Sequence, residues 1–399
     1  MKVESKDIVF LSGVRTPFGS FGGSLKGHSA NDLGTVAGKA AIERAGIEAS
    51  DVDHVIFGNA LQTSADALYL ARHVGLRAGV PQAVPGLTIN RLCGSGFQSI
   101  VSGAEQILLG QGNVMLCGGA ESMSQAPFTA RNIRWGVRFG KNDTLSDLLW
   151  DSLYDPQAKL AMGQTAEKVG AKYGVTREEC DDYGYRSQMA YKAALEAGKF
   201  ADEVVPVDVK RRREIVPFSD DECPRMDVVR EKMGKLPSVF QKDGLVSAGN
   251  ASAITDGAAA VVIAEGNWAA ERNLKPLGKL IGWGVSGCDP TIMGIGPAPS
   301  SRIALADTGM TLDDMDLIEV NEAFAAQYLA VEKELGLDRE KTNVNGGAIS
   351  VGHPLAASGT RITLHLLHEL RRRGQRYGLG TACIGGGQGI AVIVEANLE

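Results

Sequence analysis

Residues 41–57, AIERAGIEASDVDHVIF, lie without gaps on residues 304–320, ALADTGMTLDDMDLIEV, sharing Gly46 with Gly309, Asp51 with Asp314 and Asp53 with Asp316. Each copy reads as a helix, a turn and a strand. A chain that carries one such unit twice is drawn toward folds with two similar halves, although matches this sparse also arise between unrelated α/β units. The parallel continues loosely. Thr88-Ile89-Asn90 leads through a glycine turn to a helix after Cys93, and Asn343-Val344-Asn345 leads through Gly346 and Gly347 toward a helix after His353. Leu116-Cys117-Gly118-Gly119 then matches Ala382-Cys383-Ile384-Gly385. Two halves with the same turns would bring one set of loops to a common face. Strand-length apolar runs such as Val55-Ile56-Phe57 and Leu87-Thr88-Ile89 flank the helical stretch 67–74, which is the alternation of a layered α/β fold.

Residues 121 to about 275 break this pattern with charge-rich stretches, Pro206, Pro217, Pro224 and Pro237, and helical periodicity at 163–173 and 181–198. They read as an excursion placed over the shared face, where long loops commonly carry binding. The expected division is therefore 1–120, 121–275 and 276–399. A chain of 399 residues with 44% hydrophobic residues can bury several cores. Its net charge of −6, with basic clusters only at 210–213 and 371–373, argues against nucleic acid as a partner. Those clusters read as solvated faces, with a contact to a phosphorylated ligand as the alternative. The six cysteines, at 93, 117, 180, 223, 288 and 383, lack CxxC spacing, which speaks against a zinc site or a disulfide scaffold and for a reducing compartment. After Lys2, Glu4, Lys6 and Asp7, the apolar run 8–11 is too short for a signal peptide or a membrane span. It reads as the first strand, and the protein as cytoplasmic, with the mitochondrial matrix as the alternative for a eukaryotic source.

Two cysteines and a histidine stand in glycine-rich turns: Asn90-Arg91-Leu92-Cys93-Gly94-Ser95-Gly96, Gly352-His353-Pro354-Leu355 and Cys383-Ile384-Gly385-Gly386-Gly387. Apolar spacing at Phe97, Ile100, Val101, Ala104, Ile107 and Leu108 predicts a helix starting just after Cys93, and a helix N-terminus favours a thiolate. Cys93 is the candidate nucleophile, against the bland reading of a small buried hydrophobe. Gly94-x-Gly96 is not a dinucleotide fingerprint, because Ser99 replaces the third glycine. His353, between Gly352 and Pro354, is preferred as base over His365 and His368, which sit on a periodic helix. Cys383, with free backbone N–H groups beside it, is a candidate general acid and base. Cys117, its counterpart in the first half, reads as structural.

Taken together, these segments resemble the thiolase family over essentially the whole chain. The resemblance rests on NRLCGSGFQSI at 90–100, GGAESMS at 118–124, NEAFA at 321–325, NVNGGAISVGHPLAASGTR at 343–361 and TACIGGGQGI at 381–390. YLARHVGL at 69–76 and SGCDPTIMGIG at 286–296 are most similar to the 3-ketoacyl-CoA thiolases of fatty-acid oxidation. The resemblance implies two similar βαβαβαββ halves packed as a five-layer α-β-α-β-α core, plus an inserted loop domain. It implies ping-pong cleavage of a 3-ketoacyl-CoA by CoA through an acyl-Cys93 thioester, activated by His353, with Cys383 moving the protons. One oxyanion hole would comprise His353 and a water held by Asn321, the other the N–H groups of Cys93 and Gly385. CoA contacts would fall on Met162, Arg225, Phe240, Ala248, Ser252, Ala323 and Phe324. CoA is then a co-substrate, no cofactor is permanently bound, no metal is needed, and the expected assembly is a homotetramer built as a dimer of dimers.

Three positions depart from the family pattern. Ala161 stands where many short-chain biosynthetic members carry histidine, Ala356 follows His353-Pro-Leu where glycine is usual, and Ser247 replaces a threonine. The first favours a degradative enzyme over an acetoacetyl-CoA synthase, the nearest alternative. Decarboxylating ketosynthases of related fold would lack the second reactive cysteine. A non-catalytic acyl-CoA or lipid-binding relative would show damage at Cys93, His353, Asn321 or Cys383, and all four are present.

Overall fold

The first strand, β1 (Ile8–Arg15), has all eight residues buried, as expected of a strand covered on both faces. The computed structural model describes residues 6–142 and 144–398, so Lys2 and Glu4 lie outside them. The other long strands are β2 (His54–Gly58), β3 (Gly86–Ile89), β4 (Val114–Glu121), β5 (Thr255–Glu265), β6 (Gly278–Gly287), β7 (Leu317–Val320), β8 (Tyr377–Ile384) and β9 (Gln388–Ala396). Hydrogen bonds link them in the order β7-β8-β9-β6-β1-β5-β4-β2-β3. The link between β6 and β1 is short, running only from Ile8↔Leu280 to Phe10↔Gly278, so the path divides there into two sheets, one per half. In both, the repeated strand pairs in parallel, β2 with β3 and β4, and β7 with β8. Among the described residues the second sheet has no full counterpart of β3, but Thr342 forms a parallel bridge to Ile318 in its place.

Helices α1 (Ala30–Ala45) and α2 (Leu70–Arg77) cover the outer face of the first sheet. Helices α3 (Ser95–Leu108), α4 (Met162–Lys172), α5 (Arg177–Glu196), α6 (Pro297–Thr308), α7 (Ala325–Leu335) and α8 (Ser358–Arg373) follow. α3 and α8 pack on each other and on strands of both sheets, forming the middle layer, while α6 covers the outer face of the second sheet with α7 packed beside it. Strand alternation divides these cores. In β5, Ala258, Ala260, Val262 and Ala264 face the α1 side, whereas Val261 and Ile263 face α3. In β9, Ile390, Val392 and Val394 face the middle layer and Ala391 and Ile393 the outer one. The result is a five-layer α-β-α-β-α arrangement of two similar halves.

The two repeat glycines end α1 and α6 in the same way, Gly46 at φ 68° and Gly309 at φ 70°, a left-handed cap that glycine adopts without a Cβ penalty. The excursion leaves the first sheet after Glu121 and rejoins it at Thr255, because β5 pairs with both β1 and β4. β5 therefore lies inside the stretch 121–275 that reads as one insertion. The sequence disguises it as an alanine-rich run, TDGAAAVVIAE, whose Asp256-Gly257 reads as a turn although it lies within the strand. α4 and α5 of the excursion pack against α7 of the second half.

On α8, burial holds the His368 imidazole down at about 4 against the opposing pull of Glu203. An unfolded histidine takes its proton near pH 6.5. Below that pH the unfolded chain binds more protons, so this contribution to stability is whole above about pH 6.5 and lost as the pH falls toward 4. His368→Gln is expected to remove up to about 1.4 kcal/mol per pH unit of the acid-side loss, read from urea unfolding near pH 6.5 and near pH 4.5.

Candidate active site

Cys93 sits in a single turn of 3-10 helix, Leu92–Gly94, between β3 and α3. The predicted helix after the cysteine is thus present, beginning at Ser95. Leu92 adopts φ 47°, a left-handed conformation unfavourable for a branched side chain and often found where a turn must present a functional neighbour. The glycines of this turn are explained by close approach. A Cβ on Gly96 would lie 2.6 Å from the Thr360 nitrogen and 2.7 Å from the Ala356 oxygen. The nucleophile turn thereby lies against the segment that carries His353.

The helix N-terminus does not set the state of the thiol. Burial pushes Cys93 up to about 12, opposed by backbone N–H groups of Gly385 and of Cys93 itself that point at the sulfur. The charge of Glu121 pushes in the same direction as burial. Desolvation outweighs the N–H groups, so the resting molecule holds a neutral thiol with its anion-stabilising donors already in place.

His353 follows Gly352, which leaves no room for a side chain: its φ is 101°, and a Cβ there would lie 2.4 Å from Thr255 Oγ1. The His353 backbone N–H donates to Thr255 Oγ1 at 3.2 Å. Its Nδ1 lies 2.6 Å from Ser358 Oγ, and that hydroxyl reaches the Pro354 carbonyl at 3.2 Å. A serine donating to Pro354 accepts from Nδ1–H, which leaves the lone pair on Nε2, where the Asn321 amide Nδ2 stands at 3.3 Å. Burial, reinforced by the Arg361 charge, pulls the imidazole down to about 3. Burial thus favours the neutral form of both Cys93 and His353.

Cys383, near the end of β8, is fully buried, and its thiol is pushed well above the ordinary value by burial and then by Cys93 and Cys288. Gly386 (φ 83°) and Gly387 (φ 84°) turn the chain back into β9. Asn321 follows β7. Its Oδ1 is buried without a protein partner among the described residues.

Cys93, His353 and Cys383 line one cavity of about 460 Å³. Of the expected CoA contacts, Met162, Phe240, Ala248, Ser252, Ala323 and Phe324 also line it. Arg225 does not; it lines a neighbouring cavity of about 230 Å³ that shares Ala248 and Ser252 as a common wall. Asn321 and Gly385 lie behind the lining, reaching the site through His353 and Cys93. Ala161 and Ser247 line the large cavity, whereas the Ala356 methyl does not. Apolar side chains of Met123, Leu149, Trp150 and Leu153 form another part of the lining, and Met123, Leu149 and Leu153 belong to the cluster that packs with Cys93. The sequence reading missed this wall, and it missed Thr255, Ser358 and Glu121. Ser358, five residues after His353 at a helix start, and Glu121, the single acid in the strand VMLCGGAE, were the available signals.

Family models match residues 8–267 as the thiolase N-terminal domain and residues 274–396 as the thiolase C-terminal domain. The chain is 54% identical over 392 residues to the mitochondrial 3-ketoacyl-CoA thiolase of Homo sapiens, covering 98% of this chain and 99% of that one. It is 49% identical over 392 residues to Beta-ketothiolase BktB of Cupriavidus necator, and 47% identical over 391 residues to the acetyl-CoA acetyltransferase of Escherichia coli, with the same coverage in both cases. The crystal structure of human mitochondrial 3-ketoacyl-CoA thiolase in complex with CoA matches at a TM-score of 0.96 and 54% identity, covering 98% of each chain.

Proposed function

The chain belongs to the thiolase family, and from that premise we propose how its residues carry out CoA-dependent thiolytic cleavage of a 3-ketoacyl-CoA. It is an acyltransferase, and CoA is its co-substrate. The observation that carries the residue assignment is the convergence of two thiols and one neutral imidazole on a single cavity.

Cys93 gives its proton to His353 Nε2 as sulfur attacks the 3-keto carbon, and the N–H groups of Gly385 and Cys93 receive the developing oxyanion. The C2–C3 bond then breaks. The departing acetyl-CoA carbanion takes the proton of Cys383, leaving an acyl thioester on Cys93, a protonated His353 and a Cys383 thiolate. Its enolate oxygen is met by His353 Nε2–H and a water held by Asn321. In the second half, Cys383 takes the proton of incoming CoA, the CoA thiolate attacks the thioester, and Cys93 recovers its proton from His353. Both groups end as they began. A buried Cys383 with a raised pKa suits this exchange, since its thiolate is basic enough to deprotonate CoA.

The degradative direction, within fatty-acid β-oxidation, is favoured by the wall of Met123, Leu149, Trp150 and Leu153, which no CoA contact claims and which offers apolar room for an acyl tail. CoA itself lies along Met162, Phe240, Ala248, Ser252, Ala323 and Phe324, with Arg225 in the adjoining cavity meeting its nucleotide end. The names of the mammalian relatives support the mitochondrial matrix over the cytoplasm as the place of action, and the assembly expected is a homotetramer. No helix of the described residues is long and apolar enough to cross a membrane. Thiolysis rates decide the direction: kcat/KM is expected to be higher for 3-ketooctanoyl-CoA than for acetoacetyl-CoA. Leu149→Trp, which fills the apolar wall, should cut kcat/KM for the eight-carbon ester by about tenfold and change that for acetoacetyl-CoA by about twofold or less. Cleavage of acetoacetyl-CoA alone would make the enzyme a biosynthetic acetoacetyl-CoA thiolase.

A further inference from the structure

Glu121 ends β4 with its side chain fully buried, and all four of its partners are neutral donors. Oε1 accepts from Asn59 Nδ2 at 3.0 Å and from the Leu61 N–H at 2.9 Å, and Oε2 accepts from the Ala60 N–H at 3.1 Å and from the Ala356 N–H at 3.0 Å. These donors come from two separate segments. The Asn59 backbone N–H donates to Ile89 O at 3.0 Å, and Ala60 O accepts from Asn90 Nδ2 at 3.1 Å, while Asn90 Oδ1 accepts from the Leu92 N–H at 2.9 Å. Loop 59–61 is thus stitched to the turn that presents Cys93. Ala356 lies in the turn Pro354–Ala357 that directly follows His353, and Leu61 and Leu355 pack in the apolar cluster that contacts Cys93.

We infer that Glu121 is a positioning residue for this reaction, a single carboxylate that ties the nucleophile turn to the base turn and fixes the separation of Cys93 from His353. A carboxylate suits this place because it offers acceptor sites alone, and both oxygens meet N–H donors. Hydrogen bonds to a charged acceptor are the stronger kind, and here they oppose only in part the burial that lifts the carboxyl to about 7. Its negative charge near the Cys93 sulfur opposes thiolate formation, so the benefit to the reaction lies in geometry and not in charge. The inference rests on the thiolytic reading above.

Glu121→Gln keeps the shape but turns an NH2 group toward two N–H donors. Wild type and variant are compared with 3-ketooctanoyl-CoA and CoA, with folded fraction followed by circular dichroism. The expected result is a kcat lower by about 10- to 100-fold at a KM within about twofold, beyond any loss of folded fraction. A kcat within about threefold of wild type, or a fall that matches the folded fraction, overturns the inference. Asn59→Ala removes one donor while the Ala356 tie remains, and it carries the test if the glutamine variant does not fold. A fall in kcat of about three- to tenfold at unchanged KM is expected, and an unchanged kcat overturns it. A wild-type enzyme inactive on the ester would instead sink the thiolytic reading.

Discussion

Cys93→Ala is expected to abolish thiolysis of 3-ketooctanoyl-CoA, with a loss of about 10⁴-fold or more in kcat and little change in melting temperature. The covalent route has no substitute in this cavity. Cys383 shares it, but burial, and then the Cys93 sulfur, push its thiol well above the ordinary value. The backbone donors of Gly385 and residue 93 are aimed at the Cys93 position, so an attack from Cys383 would form its oxyanion away from them. Stability should change little because Cys93 is half-buried at the rim of a small cluster. Stopped-flow loss of the 3-ketoacyl chromophore, with a thermal melt of the same sample, checks both parts. Retention of a tenth of the wild-type rate would contradict a Cys93 nucleophile.

Gly119→Ala should damage the enzyme by about 100-fold without touching a reacting group. The added Cβ would fall 1.8 Å from the Ala356 carbonyl oxygen and 2.5 Å from its carbon, and backbone atoms cannot swing aside as the end of a side chain can. The segment after His353 must move by roughly an ångström, which strains β4 and displaces the base from the nucleophile. Overpacking of this kind costs about 1–3 kcal/mol or more, and displacement of the base by that distance costs about 100-fold in rate. The expected outcome is a kcat lower by about two orders of magnitude in the folded fraction, together with a clear fall in the midpoint of urea unfolding. Wild-type kinetics would show that the Ala356 turn can relax independently of the site.

Local signals foretold local structure well. The helix after Cys93, and the helix, turn and strand of each repeat, are present because the responsible residues are neighbours in sequence. The Thr342 bridge even marks where the second half preserves the position of β3. What could not be read are contacts between distant segments. Glu121 and Ala356 are 235 residues apart, and neither residue type announces the other. The return of the chain to the first sheet at β5 depends on pairing with β1 and β4, which an alanine-rich run does not advertise. The state of Cys93 departs from expectation for a related reason. Helix position favours its thiolate, but burial by segments far away in sequence outweighs that effect.

An acyl group that passes through Cys93 leaves a thioester there that can be trapped. The most direct measurement is mass spectrometry of enzyme quenched with acid during turnover of 3-ketooctanoyl-CoA under limiting CoA, followed by proteolysis. A hexanoyl group is predicted on the peptide containing Cys93, formed within one turnover and discharged when CoA is added. A hexanoyl group on Cys383 or Cys288, or rapid turnover with no acylated peptide, would contradict the account.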